Sequence, residues 1–409
     1  MGSTTEVAKF AIGSRLIVIV LQFVFTCVIP EHNADAFRSP LLALEASRWS
    51  TADQLVQRFF KGLTRWDSQY FLHIAQFDYT YEHMVAFFPG YPLLVRILAQ
   101  TMQDMLGDVL SQSSWVLLSC VIVSNTAFVL SALALFYLTQ LIFLDDRHLP
   151  LKAAKLYCFN PASIFFSSCY TESLFAFVTF VGLYFLEMEH DSLATMMFFF
   201  GSITRSNATL VPIFYLQKII RRYRRGRYYV GLVIRAGLAC AGNLLVQLYF
   251  WDRFCFPHQV SRPPREVQLL AAGMGYKEVG SSPSEWCFSH IPLSYGYVQS
   301  KYWNVGLLKY WQLKQVPNFL LALPIGVLVL NFCREHRKRL PSYCIHAALL
   351  GAICFFVANV QVATRLLISA SPVPLWAAAR SANPMHVWTY FLLYFVLGIL
   401  LHSNFFPWT

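Results

Sequence analysis

The chain has 409 residues, 56% of them hydrophobic and only 13% charged, with a formal net charge of +11. Soluble domains carry about 25% charged residues, so this composition, with a mean hydropathy of +0.48, excludes a soluble enzyme and indicates an all-α polytopic membrane protein. Continuous rather than alternating apolar runs exclude a membrane β-barrel, and basic clusters placed between such runs report topology rather than nucleic-acid binding.

Residues 10–29 form the first apolar run, long enough to cross a bilayer and without a small-residue cleavage site. It reads as an uncleaved signal anchor running from cytosol to lumen. Residues 30–112 follow as a first lumenal region containing Arg65-Trp66-Asp67-Ser68-Gln69-Tyr70-Phe71. Within it, residues 87–106 are apolar but carry Phe88-Pro89-Gly90, Pro92 and Arg96, which predicts a surface or re-entrant helix. Residues 113–144 form the second span and end at Asp145-Asp146-Arg147-His148. Residues 151–188 and 192–220 read as two helical hairpins of short, broken arms, with lumenal turns near Tyr170-Thr171-Glu172 and Arg205-Ser206-Asn207. The basic clusters Lys218–Arg227 and Arg334–Arg339 are cytosolic by the positive-inside rule.

Residues 229–250 then cross to a second lumenal region, 251–312, rich in Pro, Gly, Trp and Tyr. Residues 315–333 return, 341–360 cross back, 361–385 form a third lumenal segment and 386–403 make the last span. The expectation is one integral membrane domain over residues 1–409, with about eight to ten transmembrane helices, large lumenal loops and both termini cytosolic.

Ionisable residues at membrane depth are costly and tend to be paired or functional. Four approach one lumenal face in this arrangement: Asp67, Glu172, Arg205 and Arg365. Glu172 and Arg205 read equally as a structural ion pair, and Asp67 as a solvated loop carboxylate or a helix N-cap. Glu82 and His83 could bond a sugar or a phosphate, but no HExxH or paired-His spacing marks a metal site, so no metal is expected. Asn207-Ala208-Thr209 is a formal glycosylation sequon, expected to stay unused so close to the membrane face. The aromatics of 251–312 suit both an interfacial belt and a platform for sugar rings. Of ten cysteines, most lie inside apolar runs and act as small hydrophobes. Cys255 and Cys287 share a polar segment, where an oxidising lumen would permit a disulfide.

Several strings together resemble the PIG-V family of GPI mannosyltransferases of the endoplasmic reticulum. They are Trp66-Asp67, Tyr81-Glu82-His83, Phe87-Phe88-Pro89-Gly90, Tyr170-Thr171-Glu172, Arg205-Ser206-Asn207, Tyr302-Trp303-Asn304, Gln361-Val362 with Thr364-Arg365, and Leu401–Thr409. The resemblance runs end to end. It departs at Ser68-Gln69-Tyr70, where the family pattern reads Ala-Glu-His, and the chain is shorter than the family between 370 and 385.

The resemblance implies a GT-C type fold and an inverting α-1,6-mannosyl transfer in the lumen. The donor would be dolichyl phosphate mannose and the acceptor the mannosyl-glucosaminyl-phosphatidylinositol glycolipid, within the lipids of the endoplasmic reticulum membrane and with no cofactor. A small membrane partner subunit is compatible with it. Asp67 matches the lumenal carboxylate that such enzymes use as base. The expected substrate contacts are Trp66, Glu82, His83, Phe88, Tyr170, Glu172, Arg205, Asn207, Trp303, Asn304, Gln361 and Arg365. Two rivals remain at this stage. One is a transferase with the same donor and another acceptor. The other is a lipid transporter or flippase, against which the absence of a convincing internal repeat counts.

Overall fold

The computed structural model describes residues 2–222, 226–256 and 262–408. Residues 223–225 of the first basic cluster, and Thr409, lie outside the described residues. The helices are, in chain order, α1 (Gly2–Val28), α2 (Pro40–Ala46), α3 (Thr51–Phe59), α4 (Ser68–Phe77), α5 (Gly90–Leu106), α6 (Gln112–Ile142), α7 (Leu149–Cys158), α8 (Glu172–Glu187) and α9 (Asp191–Thr204). They continue with α10 (Pro212–Arg222), α11 (Gly226–Cys255), α12 (Arg265–Met274), α13 (Ser294–Trp303), α14 (Val316–His336), α15 (Pro341–Phe356), α16 (Ala363–Ala370), α17 (Val373–Ala379) and α18 (Pro384–Ser403).

Five of the described helices are long and apolar enough to cross a membrane, or six if the bent pair α16–α17 counts as one span. That is fewer than the expected eight to ten. The difference lies in α7–α10 and α15, which have 10 to 16 residues each, short of the ~20 that cross a bilayer as one helix. Local chemistry explains the breaks. Pro161 ends α7, because the residue before a proline is pushed out of the helical region. The freed groups are met inside the protein: Asn160 Oδ1 accepts from the Ala162 amide at 2.9 Å. Arg15, in the middle of α1, donates to the carbonyl oxygens of Cys158 at 3.1 Å and Ser163 at 3.0 Å. Its guanidinium also bonds the Ser163 and Ser167 hydroxyls and lies 3.7 Å from the Phe128 ring centroid. A cation at a helix C-terminus meets the negative end of the dipole and its orphan carbonyls.

Ser371-Pro372 breaks α16 from α17 in the same way. Ser371 is extended, at φ −144° and ψ 135°, and the two helices turn by 85°. This segment corrects the expected topology. Gln361 and Arg365 sit on the same face as Asp67, but Arg380 bonds His336 at 2.8 Å and reaches Asp146 at 3.8 Å on the opposite face. Residues 361–385 therefore do not stay on the Asp67 face as a third lumenal segment; they cross. One more crossing inverts the end of the chain. The N-terminal end of α1 lies at the opposite face, where Thr4 meets Tyr137 and Glu6 pairs with Lys155. The far end of α18 lies on the Asp67 face, where Asn404 accepts from the His32 amide at 2.9 Å. The two ends of the described chain thus lie at opposite faces of the bundle, unlike the expected arrangement with both on one side.

Residues 30–88 combine with 246–256 and 262–303 into one lobe on the Asp67 face, with a core that includes Tyr79, Tyr81, Phe88, Phe250, Phe254 and Trp286. Backbone bonds stitch the two stretches together: the Glu82 amide donates to Lys277 O at 2.8 Å and the Val279 amide to Thr80 O at 2.9 Å. A disulfide joins Cys255 to Cys287. His73 and His83 are buried in this lobe. His73 contacts the hydroxyls of Ser39 at 2.7 Å and Thr80 at 2.8 Å. The His83 ring lies among Tyr81, Tyr276 and Tyr70.

Two outcomes follow from these placements. An acceptor sequon appended to the C-terminus should be glycosylated if the Asp67 face is lumenal, while one at the N-terminus stays bare; the same result at both ends would refute the odd number of crossings. Burial also lowers the His83 pKa from 6.5 to about 3. Between those values the unfolded chain holds a proton that the folded one lacks, so stability is complete above pH 6.5 and falls as the pH drops toward 3. At pH 5 the loss from this residue is ~2 kcal/mol. Thermal unfolding at pH 7.5 and pH 5 should show a smaller acid shift for His83→Gln than for the parent chain, and equal shifts would refute the assignment.

Candidate active site

Asp67 stands at the start of α4, in the position of an N-cap, yet its side chain makes no capping bond. Its own backbone explains why: Asp67 is already in the right-handed helical region, at φ −61° and ψ −19°, rather than extended as a capping residue is, and the Ser68 and Gln69 amides donate to the carbonyls of Arg65 and Trp66. Trp66 before it has φ +56°, a left-handed conformation uncommon for a bulky side chain and typical of sites held under strain. The Asp67 peptide N–H donates instead to the Tyr170 hydroxyl at 3.0 Å, and Oδ2 accepts from Arg365 Nη2 at 3.0 Å.

A chain of four charges follows. Arg365 Nη1 lies 3.7 Å from Glu172 Oε1, and the same oxygen lies 2.7 Å from Arg205 Nη1. Arg205 also donates to the Thr171 hydroxyl at 3.0 Å. The Glu172 side chain is only 1% exposed, whereas that of Asp67 is 32% exposed. One carboxylate is therefore sealed behind two guanidiniums and the other faces open space. Alternation of sign makes the cluster neutral, which lets charges persist at low dielectric. The Arg365 guanidinium is also flanked by rings, 4.9 Å from the Phe165 centroid and 5.4 Å from that of Tyr170.

These groups line a cavity of about 410 Å³. Of the residues expected from sequence, Trp66, Asp67, Phe88, Tyr170, Glu172, Arg205, Asn207, Trp303, Gln361 and Arg365 are on its wall. The Phe88-Pro89-Gly90 string has a steric role here. A Cβ on Gly90 would lie 2.8 Å from the Thr204 hydroxyl and 3.1 Å from the Ile203 backbone, so glycine allows α5 to touch the end of α9 beside Arg205. The Asn207 amide nitrogen is buried without a partner, and its side chain sits on the cavity wall rather than on an open surface.

Glu82, His83 and Asn304 were expected to touch substrate and do not line the cavity. Glu82 is wholly buried behind it, where Oε2 accepts from the Tyr302 hydroxyl at 2.7 Å and from Lys301 at 3.4 Å. His83 is enclosed by aromatic rings, and Asn304 caps α13 in a left-handed conformation at φ +52°. Sequence reasoning missed Gln299 and Asn359, which add amides to the wall from α13 and from the turn before α16. Neither carries a local signal, because a single amide in a polar stretch looks like any other. A smaller cavity of about 160 Å³ shares Trp66, Asp67, Tyr170, Gln361 and Arg365 with this one and is also lined by His402, Pro407 and Trp408. The terminal string that resembled a family motif thus folds back onto the site.

The mannosyltransferase (PIG-V) family model matches residues 4–346. The GPI alpha-1,6-mannosyltransferase 2 of Rattus norvegicus is 33% identical, covering 100% of this chain and 99% of that protein. That of Homo sapiens is 32% identical with the same coverage. GPI mannosyltransferase 2 of Drosophila melanogaster is 33% identical over 99% of this chain and 100% of its own length. Among solved structures, an Archaeoglobus fulgidus oligosaccharyltransferase superposes with a TM-score of 0.45 at 9% identity, covering 97% of this chain and 55% of that one. A membrane-crossing helical bundle, a charged cavity at one face and full-length likeness at this level of identity agree: the chain belongs to the PIG-V mannosyltransferase family.

Proposed function

We propose that this chain transfers an α-1,6-linked mannose from dolichyl phosphate mannose to the mannosyl-glucosaminyl-phosphatidylinositol intermediate of GPI-anchor assembly, at the lumenal face of the endoplasmic reticulum membrane. Its full-length relatives are named GPI alpha-1,6-mannosyltransferase 2. The observation that best supports the reading is a half-open carboxylate and two arginines on the wall of one cavity in a bundle of membrane-length helices. A β-mannosyl phosphate donor and an α product require inversion, so a single base suffices. The second oxygen of Asp67, not held by Arg365, accepts the proton of the acceptor's 6-hydroxyl. The acceptor oxygen so deprotonated attacks C1 as the C1–O bond to phosphate breaks through an oxocarbenium-like transition state. The leaving phosphate departs without a proton, so the transfer balances without a cofactor.

The two arginines take different roles on this reading. Arg365 is bonded to Asp67 and holds the base in place. Arg205 stands next to the unpartnered Asn207 amide on the cavity wall, and together they offer donors to the phosphate oxygens. Lys301 and Tyr302 hold Glu82 behind the wall and fix the lobe against the site.

Asp67→Asn should leave the protein folded and inserted while lowering kcat by about 10²–10⁴. Near-normal turnover would remove Asp67 as the base. Arg205→Gln should raise the KM for the lipid donor by about tenfold or more and leave that for the acceptor nearly unchanged. The reverse pattern would exchange the two binding sides. Mannolipid analysis in cells lacking second-mannose transfer tests the whole assignment: accumulation of the one-mannose lipid despite expression of this chain would contradict it.

A further inference from the structure

A second cavity is larger than the one that Asp67 lines. It has a volume of about 750 Å³ and lies between the end of α1, the short helices α2 and α3, one face of α4 and the start of α6. Four cations line it, Arg38, Arg58, Lys61 and Arg65, and no carboxylate does. Glu31 stands beside it, bonded to Lys61 and Arg65. Arg38 and Arg58 have no carboxylate partner among the described residues. Acceptors for hydroxyl groups are present as well: Gln76, on the wall, has its Oε1 buried without a partner, as does Oε2 of neighbouring Glu45. Apolar side chains of α2, α4 and α6 complete the wall, among them Leu42, Leu72 and Val116. Cations, buried hydroxyl acceptors and an apolar flank together suit a phosphodiester joined to a polyol and to lipid tails.

The position of this cavity decides which substrate it suits. Arg65 and Gln69 line it and flank Asp67 by two residues on either side, yet Asp67 itself faces the other cavity. The donor's phosphate is bonded directly to the carbon that reacts, so it must lie beside Asp67. The acceptor's phosphate is separated from the reacting hydroxyl by mannose, glucosamine and inositol. Only the acceptor can place a phosphate beyond the first turn of α4 while presenting a hydroxyl at Asp67. We infer that the cavity bounded by α2, α3 and α4 binds the phosphoinositol headgroup of the acceptor glycolipid, through Arg38 and Arg58. This rests on the proposed function for the identity of the acceptor.

The test uses the full chain in nanodiscs. In steady-state transfer with a synthetic mannosyl-glucosaminyl-phosphatidylinositol, Arg38→Gln/Arg58→Gln should raise the acceptor KM about tenfold or more, with kcat and donor KM unchanged. With the same glycan lacking the phosphodiester, parent and variant should perform alike. Arg38→Lys/Arg58→Lys should recover most of the loss. An unchanged acceptor KM, a parallel rise in donor KM, or an equal loss with both acceptors would overturn the inference while leaving the mannosyl-transfer reading intact. A second arm does not depend on turnover. In the Asp67→Asn protein a photoreactive phosphatidylinositol should crosslink to residues 40–58, and unlabelled phosphatidylinositol but not phosphatidylcholine should compete. Crosslinks elsewhere, or equal competition by phosphatidylglycerol, would overturn the inositol assignment.

Discussion

Everything at the site depends on one buried carboxylate, that of Glu172, placed between two guanidiniums. It is almost wholly excluded from solvent and is within ion-pair distance of both Arg205 and Arg365. Removing it would leave Arg205 without its carboxylate and the cluster with a net positive charge at membrane depth, where uncompensated charge is most costly. Its position is the product of helix breaks. The arms α7 and α8 are joined by an irregular stretch whose backbone groups are bonded by Arg15 and Asn160, and that stretch delivers Tyr170 and Glu172 to the cavity. Non-helical backbone at this depth is tolerated only where the protein supplies its partners, and here a cation from α1 does so.

The lobe on the same face supplies the remaining walls. It has its own aromatic core, separate from the core of the helical bundle. Its two stretches are far apart in sequence and held by backbone bonds, by the Glu82–Tyr302 contact and by the disulfide within the second stretch. Phe88 and Trp303 thereby reach the cavity from opposite stretches.

The long helices were legible because continuous apolar runs of bilayer length admit few alternatives: the expected spans at 113–144, 315–333 and 386–403 lie on α6, α14 and α18. The convergence of Asp67, Glu172, Arg205 and Arg365 was legible for a related reason, since parity of crossings put all four at one end. The traverse through 361–385 was not. It is short, carries Arg365 at one end and is split by Ser371-Pro372, so by composition it looks like a loop; only the partners of Arg380 on the far face reveal it. Glu82 and His83 misled for the opposite reason. A polar string next to a site and a polar string buried in the core behind it have the same composition, and tertiary packing alone distinguishes them. Gln299 and Asn359 were invisible because an amide on a cavity wall leaves no pattern in its neighbours.

The hydrogen bond between Arg365 and Asp67 has a consequence for timing. In the proposed transfer, Asp67 becomes neutral at the same step at which the phosphate gains its second negative charge. The guanidinium that had been satisfied by the carboxylate is released just as a stronger anion forms in the cavity that both residues line. Attraction then shifts from base to leaving group without any net change in the charge enclosed by the protein. A reverse attack by the phosphate would have to give that cation back to Asp67 as the carboxyl returned its proton to the acceptor oxygen. The empty site regains its starting state only when Asp67 gives up its proton and the lipid phosphate leaves, so deprotonation and product release are two halves of one reset.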